Sequence, residues 1–455
     1  MKIIDIRALK GPNYWSIRRH KLIVMRLDLE ELEECPSNRI DGFYDRLRAL
    51  MPSLYGHECS EGRPGGFFYR VERGTWMGHI IEHIALEIQT LAGIDCGFGR
   101  TRSTGEYGVY NVVFAYQEER AGMHAAHCAV KIAEALIAGV DYDLQADIAR
   151  LSQLYEEDRL GPSTSAIVGA CIQKGVPFLR LDTDSTVQLG YGARQKRIQA
   201  TVSSQTSSLA VELAADKNET KRRLSQASIP VPAGEVIHTE ADLDAVVREL
   251  GFPLVVKPLD GNHGRGVTTN IQTMDALIHA FSLAKAHSEG VLVEQFAHGN
   301  DYRLLVIDYK LCAVAQRIPA HVIGDGVSSI QQLVDGVNRD PRRGEGHVNL
   351  LTKITIDEAT LAILDEQQLT PDLVLLAGQT LYLKKTANLS TGGTSVDLTD
   401  RVHPEIKAMA ERTARLIGLD ICGIDLIAQD ITSSLRKSGA LIIEVNAGPG
   451  FRMHT

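Results

Sequence analysis

The sequence predicts an α/β protein, α+β in how its parts segregate, with a mixed α/β N-terminal domain ahead of a larger α/β domain. Three observations predict it. Runs of strand length and composition alternate with stretches of helical period along most of the chain. Apolar runs stop well short of membrane length and are punctuated by glycine and proline. At Leu160-Gly161-Pro162-Ser163 a Gly-Pro step stops one helix while Ser163 can cap the next, which divides the chain. The expected parts are residues 1–160, a short segment over 161–215, and a domain over 216–455.

In the first domain Lys21 to Leu29 alternates enough for a strand, and Gly108 to Tyr116 reads as another. Between them Ile80, Ile84, Ile88 and Leu91 recur at helical spacing and predict a helix over 78–91. A further helix over 121–139 opens with His124 and His127, read as surface or satisfied core histidines. Beyond the boundary, 165–174 reads as a helix and 177–181 as a strand. From Asp216 a helix opens with Lys217, Thr220 and Lys221; lysines are electrostatically poor there unless an anion binds nearby. Lys221 is therefore a candidate phosphate contact.

Amphipathic helices over 239–250 and 275–288 precede the strands of Lys257 and Glu294. Residues 301–316 read as a hairpin turning at Asp308-Tyr309-Lys310. Residues 321–383 look like an insertion with its own helices, 388–397 like a loop rich in Ser, Thr and Gly, and 404–418 like a helix behind the last strands.

The chain has 455 residues, room for several domains and an ample core. Hydrophobic residues make up 44%, and the net charge of -9 argues against nucleic acid as the main partner. No membrane association is expected, and Arg18, Arg19, His20 and Lys21 interrupt any signal-peptide core. Seven scattered cysteines, an odd number without paired spacing, point to a reducing cytoplasm.

The chemistry concentrates near the C-terminus. Leu441 to Val445 is a strand-length apolar run, and Glu444 and Asn446, two apart, share one face of it. Gly423-Ile-Asp425-Leu-Ile is a second such run. Asp425, Glu444 and Asn446 on adjacent strands form a hard-oxygen set suited to magnesium shared with phosphates. Upstream, the Lys257 strand runs into Asp260-Gly261-Asn262-His263-Gly264-Arg265-Gly266, whose glycines let backbone N–H groups close around phosphate oxygens. It matches neither a Walker A loop nor a Rossmann fingerprint.

The order of lysine strand, glycine loop, Glu294 strand, then Asp425 and Glu444-x-Asn446 resembles the ATP-grasp ligases. Within them, Pro258 to Gly266, Lys385-Thr-Ala-Asn388-Leu-Ser390-Thr391-Gly392-Gly393, Asn446 to His454 and Arg7 to Ser16 resemble the cyanophycin synthetases over the whole chain. The resemblance implies an ATP-grasp fold that uses ATP and Mg2+ to activate the C-terminal carboxylate of a poly-aspartate backbone and add L-aspartate. It places Glu294 at adenine and Asp301 at a ribose hydroxyl, with the cyanophycin primer and L-aspartate as partners. Arg303 is a candidate for the acceptor carboxylate, Arg317 for the phosphate or acylphosphate, and His263 for the acylphosphate. Ser390, Thr391, Gly392 and Gly393 would receive the amino acid, braced by Asn388. A homo-oligomer is expected. Family members continue into a Mur-ligase-like half with a Gly-x-x-Gly-Lys-Thr loop; no such loop occurs here, so the sequence reads as a fragment or a short form. A glutathione-type ATP-grasp ligase and an inactive polymer-binding fragment are the competing readings.

The first domain carries its own pattern. His79-Ile-Ile-Glu82-His83 is His-x-x-Glu-His, the inverted zinc-protease order. On a helix His79 and His83 share a face and can bind Zn2+, while Glu82 can deprotonate its water. Cys59 is the first choice of third ligand, with Glu156 and Glu157 as rivals. In the family this region is thought to cut the polymer and make primers.

Overall fold

The computed structural model describes residues 1–18, 21–259, 266–344 and 349–454, which form two compact units, Met1–Arg159 and Leu160–Thr455. In the first unit β1 (Lys2–Lys10) pairs with β2 (Lys21–Asp28), and α1 (Phe43–Leu50), α2 (Gly66–Arg73) and α3 (Met77–Leu91) follow. β3 (Gly99–Ser103), β4 (Val109–Ala115), α4 (Glu119–Ala138) and α5 (Leu144–Asp158) complete it. The sheet is antiparallel in the order β1-β2-β4-β3, so β3 is an edge.

Strand β2 is covered on both faces, which is why its apolar residues run on instead of alternating. Ile23, Met25 and Leu27 enter the core shared with α3 and α4, and Leu22 and Val24 pack with Trp15 on the other side. Helix α3 is apolar nearly all round and is buried accordingly. It nevertheless carries Glu82, His83, Glu87 and Gln89 into the interior. Burial of such groups is unfavourable unless each is partnered, so their presence marks a site.

The second unit opens with α6 (Pro162–Gln173) and a four-stranded antiparallel sheet of β5 (Phe178–Arg180), β6 (Thr186–Leu189), β7 (Lys196–Gln199) and β8 (Val202–Ser203). Only β5 is anticipated from the sequence; the others are short and largely polar, with little period to read. Helices α7 (Ser208–Ala215) and α8 (Lys217–Gln226) lead to β9 (Gly234–Ile237), α9 (Leu243–Leu250), β10 (Leu254–Pro258), β11 (Thr268–Ile271), α10 (Met274–Lys285) and β12 (Val291–Gln295). These strands form a sheet ordered β11-β10-β12-β9. Leu254, Val256 and Val293 pack with Val246, Leu277 and Phe281 of α9 and α10, which turns Lys257 and Glu294 to the opposite face.

The central sheet starts with β13 (Asn300–Ile307) and β14 (Lys310–Ile318). Their two-residue turn, Asp308 and Tyr309, has φ of 51° and 59°, the sign a type I′ hairpin requires. The insertion then adds β15 (His321–Ile323), α11 (Ile330–Asn338), β16 (Arg343–Gly344), β17 (Leu351–Thr352), α12 (Glu358–Glu366) and β18 (Thr380–Tyr382), with a small core of its own in which β15, α11, α12 and β18 take part. β19 (Thr394–Asp397), α13 (Pro404–Ile417), β20 (Ile421–Ala428) and β21 (Leu441–Ala447) return to the sheet, whose order is β19-β14-β13-β20-β21. The end of the expected 388–397 loop is thus an edge strand, paired to β14 from Ala315 to Ile318. Helix α13 covers one face with Ile406, Met409, Ala410, Ala414 and Ile417, leaving the other for polar residues. No helix among the described residues is long and apolar enough to cross a membrane.

Candidate active sites

Alternation along the central strands sends Leu304, Val306, Ile424 and Leu426 into the core beneath α13 and the residues between them to the opposite face. There the register sets Arg317 beside Asp301, Arg303 beside Asp425, and Asp425 beside Glu444. Arg317 Nη2 lies 2.6 Å from Asp301 Oδ1 and 3.4 Å from Asp425 Oδ2. Arg303 donates through Nε to Asp425, and its Nη2 lies 3.3 Å from Asp425 Oδ2. Burial raises the Asp301 carboxyl above its ordinary range against the opposing charge of Arg317. Burial alone would lower Arg317, but Asp425 and Asp301 outweigh it and raise the guanidinium.

On the neighbouring sheet Lys257 Nζ lies 2.7 Å from Glu294 Oε2, and Lys221 of α8 pairs with Oε1 of the same carboxylate. Glu294 is 1% exposed, so two ammonium groups share one buried counter-charge. Burial, helped by the charge of Lys217, lowers Lys257 to about 8. Burial and then the charge of Lys257 lower Lys221 as well. Two buried amines around one carboxylate, with Lys221 lowered to about 6, gain their full charge when a polyanion such as a triphosphate binds beside them. Glu294, expected at adenine, is in this state the shared partner of both lysines.

Asp425, Glu444 and Asn446 meet on β20 and β21 as carboxylate and amide oxygens, the donor chemistry that magnesium takes. The Asn446 amide Nδ2 is buried with no hydrogen-bond partner among the described residues, a donor left for an acceptor such as a phosphate oxygen, while a cation would take Oδ1. Glu444 has Lys217 4.0 Å away and is otherwise open. Asp425 differs: both its oxygens are engaged by Arg303 and Arg317. The residues fit the ion, Glu444 and Asn446 more freely than Asp425.

The 388–393 segment sits over the end of β14. Thr391 Oγ1 donates to the Asn388 carbonyl at 3.0 Å, and the Gly392 carbonyl accepts from Arg343 Nη1 at 3.0 Å. Ser390 is exposed, whereas Gly393 lies against the Asn388 and Ile318 carbonyls. Gly266 lies just before β11, and Asp260, Gly261, His263 and Gly264 fall outside the described residues. Sequence reading overlooked Arg343, Arg452 and His454. Arg452 Nη2 donates to Thr352 Oγ1 at 2.7 Å. Burial and the Arg303 charge hold His454 down to about 4. Arg452 and His454 lie within the Asn446–His454 stretch quoted above, but Thr352 and Arg303 beside them are distant in the chain, so no local spacing assigns their contacts.

In the first unit Cys59 Sγ lies 3.2 Å from His79 Nε2, and ligating atoms of Cys59, His79 and His83 all fall within 4.8 Å of one another. His79 Nδ1 is 3.1 Å from Thr75 Oγ1, and His83 Nδ1 is 2.8 Å from His57 Nδ1. His57 Nε2 in turn is 2.7 Å from Glu87 Oε2. With each Nδ1 held from behind, Nε2 of both rings is left for a ligand. Burial, then the charge of Arg70, lowers His79 to about 4; burial, then His79 and His57, lowers His83 well below the usual value. Neutral imidazoles are the form that binds a metal.

Glu82 accepts from Thr101 Oγ1 at 2.6 Å. Burial raises its carboxyl to about 7, against the Thr101 hydrogen bond and Arg70. Cys59, His79, His83, His57, Thr75, Glu82 and Thr101 line a cavity of about 680 Å³, with Glu87 behind His57. The rival ligands lie elsewhere: Glu157 pairs with Arg120 at 2.9 Å and Glu156 with Arg159 at 2.8 Å, and neither joins the cluster. His57, Glu87 and Thr101 were not singled out from sequence. Two of them carried a signal, since His57 shares the loop of Cys59 and Glu87 follows His83 by one helical turn.

A second group, His124, Cys128 and Asp147, also has ligating atoms within 4.8 Å of one another. His124 Nε2 is 3.3 Å from Cys128 Sγ and 3.8 Å from Asp147 Oδ1, so this histidine is satisfied by α4 and α5 but in a metal-capable arrangement.

A family model described as the cyanophycin synthase-like N-terminal domain matches residues 24–138. One described as the RimK-like ATP-grasp domain matches 214–323 and 384–455, broken across the insertion. The cyanophycin synthetase of Crocosphaera subtropica is 51% identical over 460 residues, covering 100% of this chain and 53% of the relative. That of Synechocystis sp. is 50% identical with the same coverage. The chain thus spans about half the length of the curated relatives it matches. The crystal structure of a bifunctional glutathione synthetase from Pasteurella multocida superimposes with a TM-score of 0.53 at 29% identity, covering 74% of this chain and 49% of that one.

Proposed function

The chain belongs to the cyanophycin synthetase family through its N-terminal and ATP-grasp domains, and from that membership we propose that the second unit is an ATP-dependent carboxylate–amine ligase. It activates the C-terminal carboxylate of an aspartate-backbone chain as an acylphosphate and joins L-aspartate to it. The observation that carries this is the row Arg317, Asp301, Arg303, Asp425 and Glu444 on the sheet face opposite the α13 core, together with Lys257 of β10 and Lys221 of α8 around Glu294. Phosphoryl transfer asks mainly for positioning and charge neutralisation. Lys257 and Lys221 supply positive charge to the triphosphate, and Arg303 and Arg317 present planar donors to carboxylate and phosphoryl oxygens. Glu444 and Asn446, with Asp425, are the residues that would hold magnesium, which would supply neutralisation of charge on phosphate oxygens.

Glu444→Gln and Lys257→Ala should each abolish ATP-dependent incorporation of labelled aspartate while circular dichroism stays unchanged. Full activity in both variants would overturn the assignment. Incorporation of glycine onto γ-glutamylcysteine instead of aspartate would move the chain to the glutathione-type reading.

For the first unit the same reading gives a metal-dependent hydrolase that cuts the polymer internally and so makes primers. The Cys59, His79 and His83 cluster with Glu82 beside it favours this. A bound zinc would supply an acidified water, and Glu82 is the group placed to take its proton. Thr101 holds Glu82, and Thr75 and His57 hold the ligand rings. Glu82→Gln should stop cleavage of long polymer yet keep zinc, while His79→Ala should lose both. One equivalent of metal must disappear with His79; metal that instead disappears only with His124→Ala would place it in the other cluster.

A further inference from the structure

We propose that the open edge of β3 is a docking strand on which an extended, carboxylate-bearing aspartate-backbone chain adds as a fifth strand beside the Glu82 cavity. This rests on the hydrolase reading of the first unit.

The ladder parity shows which backbone groups are available. The Phe98 carbonyl accepts from the Ala115 N–H at 2.8 Å, and the Thr104 N–H donates to the Val109 carbonyl at 3.0 Å. Both residues are even-numbered, so in this antiparallel register Arg100 and Arg102 also exchange bonds with β4. Gly99, Thr101 and Ser103 therefore turn their N–H and C=O groups away from the sheet. An edge that no strand among the described residues pairs with is a template for strand addition.

The edge also lies where a scissile bond must be. Thr101 Oγ1 donates to Glu82 Oε2 at 2.6 Å, and a Cβ at Gly99 would sit 2.4 Å from Glu82 Oε1. Only glycine lets the strand pass that close to the carboxylate. A strand added to β3 runs about 4.8 Å from it, so its amides pass along the wall that holds Glu82, His79 and Cys59.

Charge selects the occupant. Arg100 and Arg102 are exposed on β3, and Arg70 stands in the cavity wall with Nη1 3.5 Å from Cys59 Sγ. Arg100 and Arg102 alternate with Thr101 and so turn to the face of β3 away from Glu82, where Arg100 Nη1 lies 3.5 Å from the Trp15 carbonyl; with Arg70 on the cavity side, guanidinium groups flank both faces of this edge in a chain of net charge -9. A backbone with a free carboxylate on its side chains gains a charge-assisted bond at each alternate residue.

The test uses the full chain carrying Glu82→Gln and loaded with zinc, titrated calorimetrically with short soluble aspartate–arginine oligomers. Ser103→Pro removes one outward N–H while the bonds to β4, made by Arg102 and Thr104, remain; proline is tolerated on an edge in that position. It should weaken binding about 5- to 10-fold. Arg102→Gln should weaken it by a similar factor and flatten its salt dependence. Unchanged affinity in both variants, with zinc content and melting temperature equal to the parent, overturns the proposal, as does an absence of oligomer binding. If Ser103→Pro fails to fold, amide hydrogen exchange decides: bound oligomer should protect the Thr101 and Ser103 amides, and no added protection there overturns the proposal. Cleavage by the Glu82-containing chain is measured separately. Binding without cleavage refutes the hydrolase reading alone, and cleavage with KM unaffected by both variants refutes the docking strand alone.

Discussion

His83 presents Nε2 to the cavity because His57 holds its Nδ1, and His57 stays in place because Glu87 holds it. Glu87 is 5% exposed, and burial works against its charge, yet the His57 and Ser53 hydrogen bonds win and lower its carboxyl. A charge kept in a core by one partner chain of this length is an outer shell for a metal ligand. His57→Gln and Glu87→Gln should each weaken zinc binding about 10- to 100-fold, read by competition with a chelator of known affinity. Cys59→Ser should weaken it at least as much, and Glu157→Gln should leave it unchanged. The His-x-x-Glu-His face was legible because a helix repeats its neighbours at fixed spacing. The His57–Glu87 support was not, because it depends on how the 57–66 loop lands on α3, a tertiary fact with no period.

At the scale of elements, legibility follows the strength of the local signal. Helices α3 and α13 and the β13–β14 hairpin announce themselves through period and turn residues, and they stand within a few residues of expectation. Strand β19 does not, because its Ser- and Thr-rich residues gain their structure from pairing with β14. The same region holds a residue with a second task. Gly392 has φ of +93°, and a Cβ there would lie 2.7 Å from Ile354 Cγ1 of the insertion. Its carbonyl is held by Arg343, which also donates to the Thr352 carbonyl at 2.6 Å. The insertion therefore clamps the 389–393 turn. Gly392→Ala should destabilise by about 1–3 kcal/mol, measured in urea, from strain and from the close contact together. Arg343→Met frees the turn without that clash, so it should raise KM for the amino acid more than it lowers kcat. An unchanged KM in Arg343→Met would remove this turn from substrate binding.

At the scale of the whole molecule the two candidate sites rest on separate cores. The first is built from β2, β4, α3 and α4, and the second from the central sheet with α13. The named residues of each candidate site come from a single unit, so each should fail alone. Glu444→Gln should leave polymer cleavage intact while ending aspartate addition, and His79→Ala should do the reverse. One asymmetry follows if the first unit supplies chain ends to the second. On short oligomers, where ends are plentiful, His79→Ala should add aspartate at the parental rate. On long polymer at equal mass, ends are scarce, and the parent should accelerate after a lag as cleavage creates them. His79→Ala should then proceed slowly and without acceleration, and adding a trace of the Glu444→Gln chain should restore the rise, because that variant still cuts. Restoration in trans requires only that ends be released into solution, so it holds for any placement of the two units. Acceleration in His79→Ala by itself would show that primers arise elsewhere, and the coupling between the units would be lost.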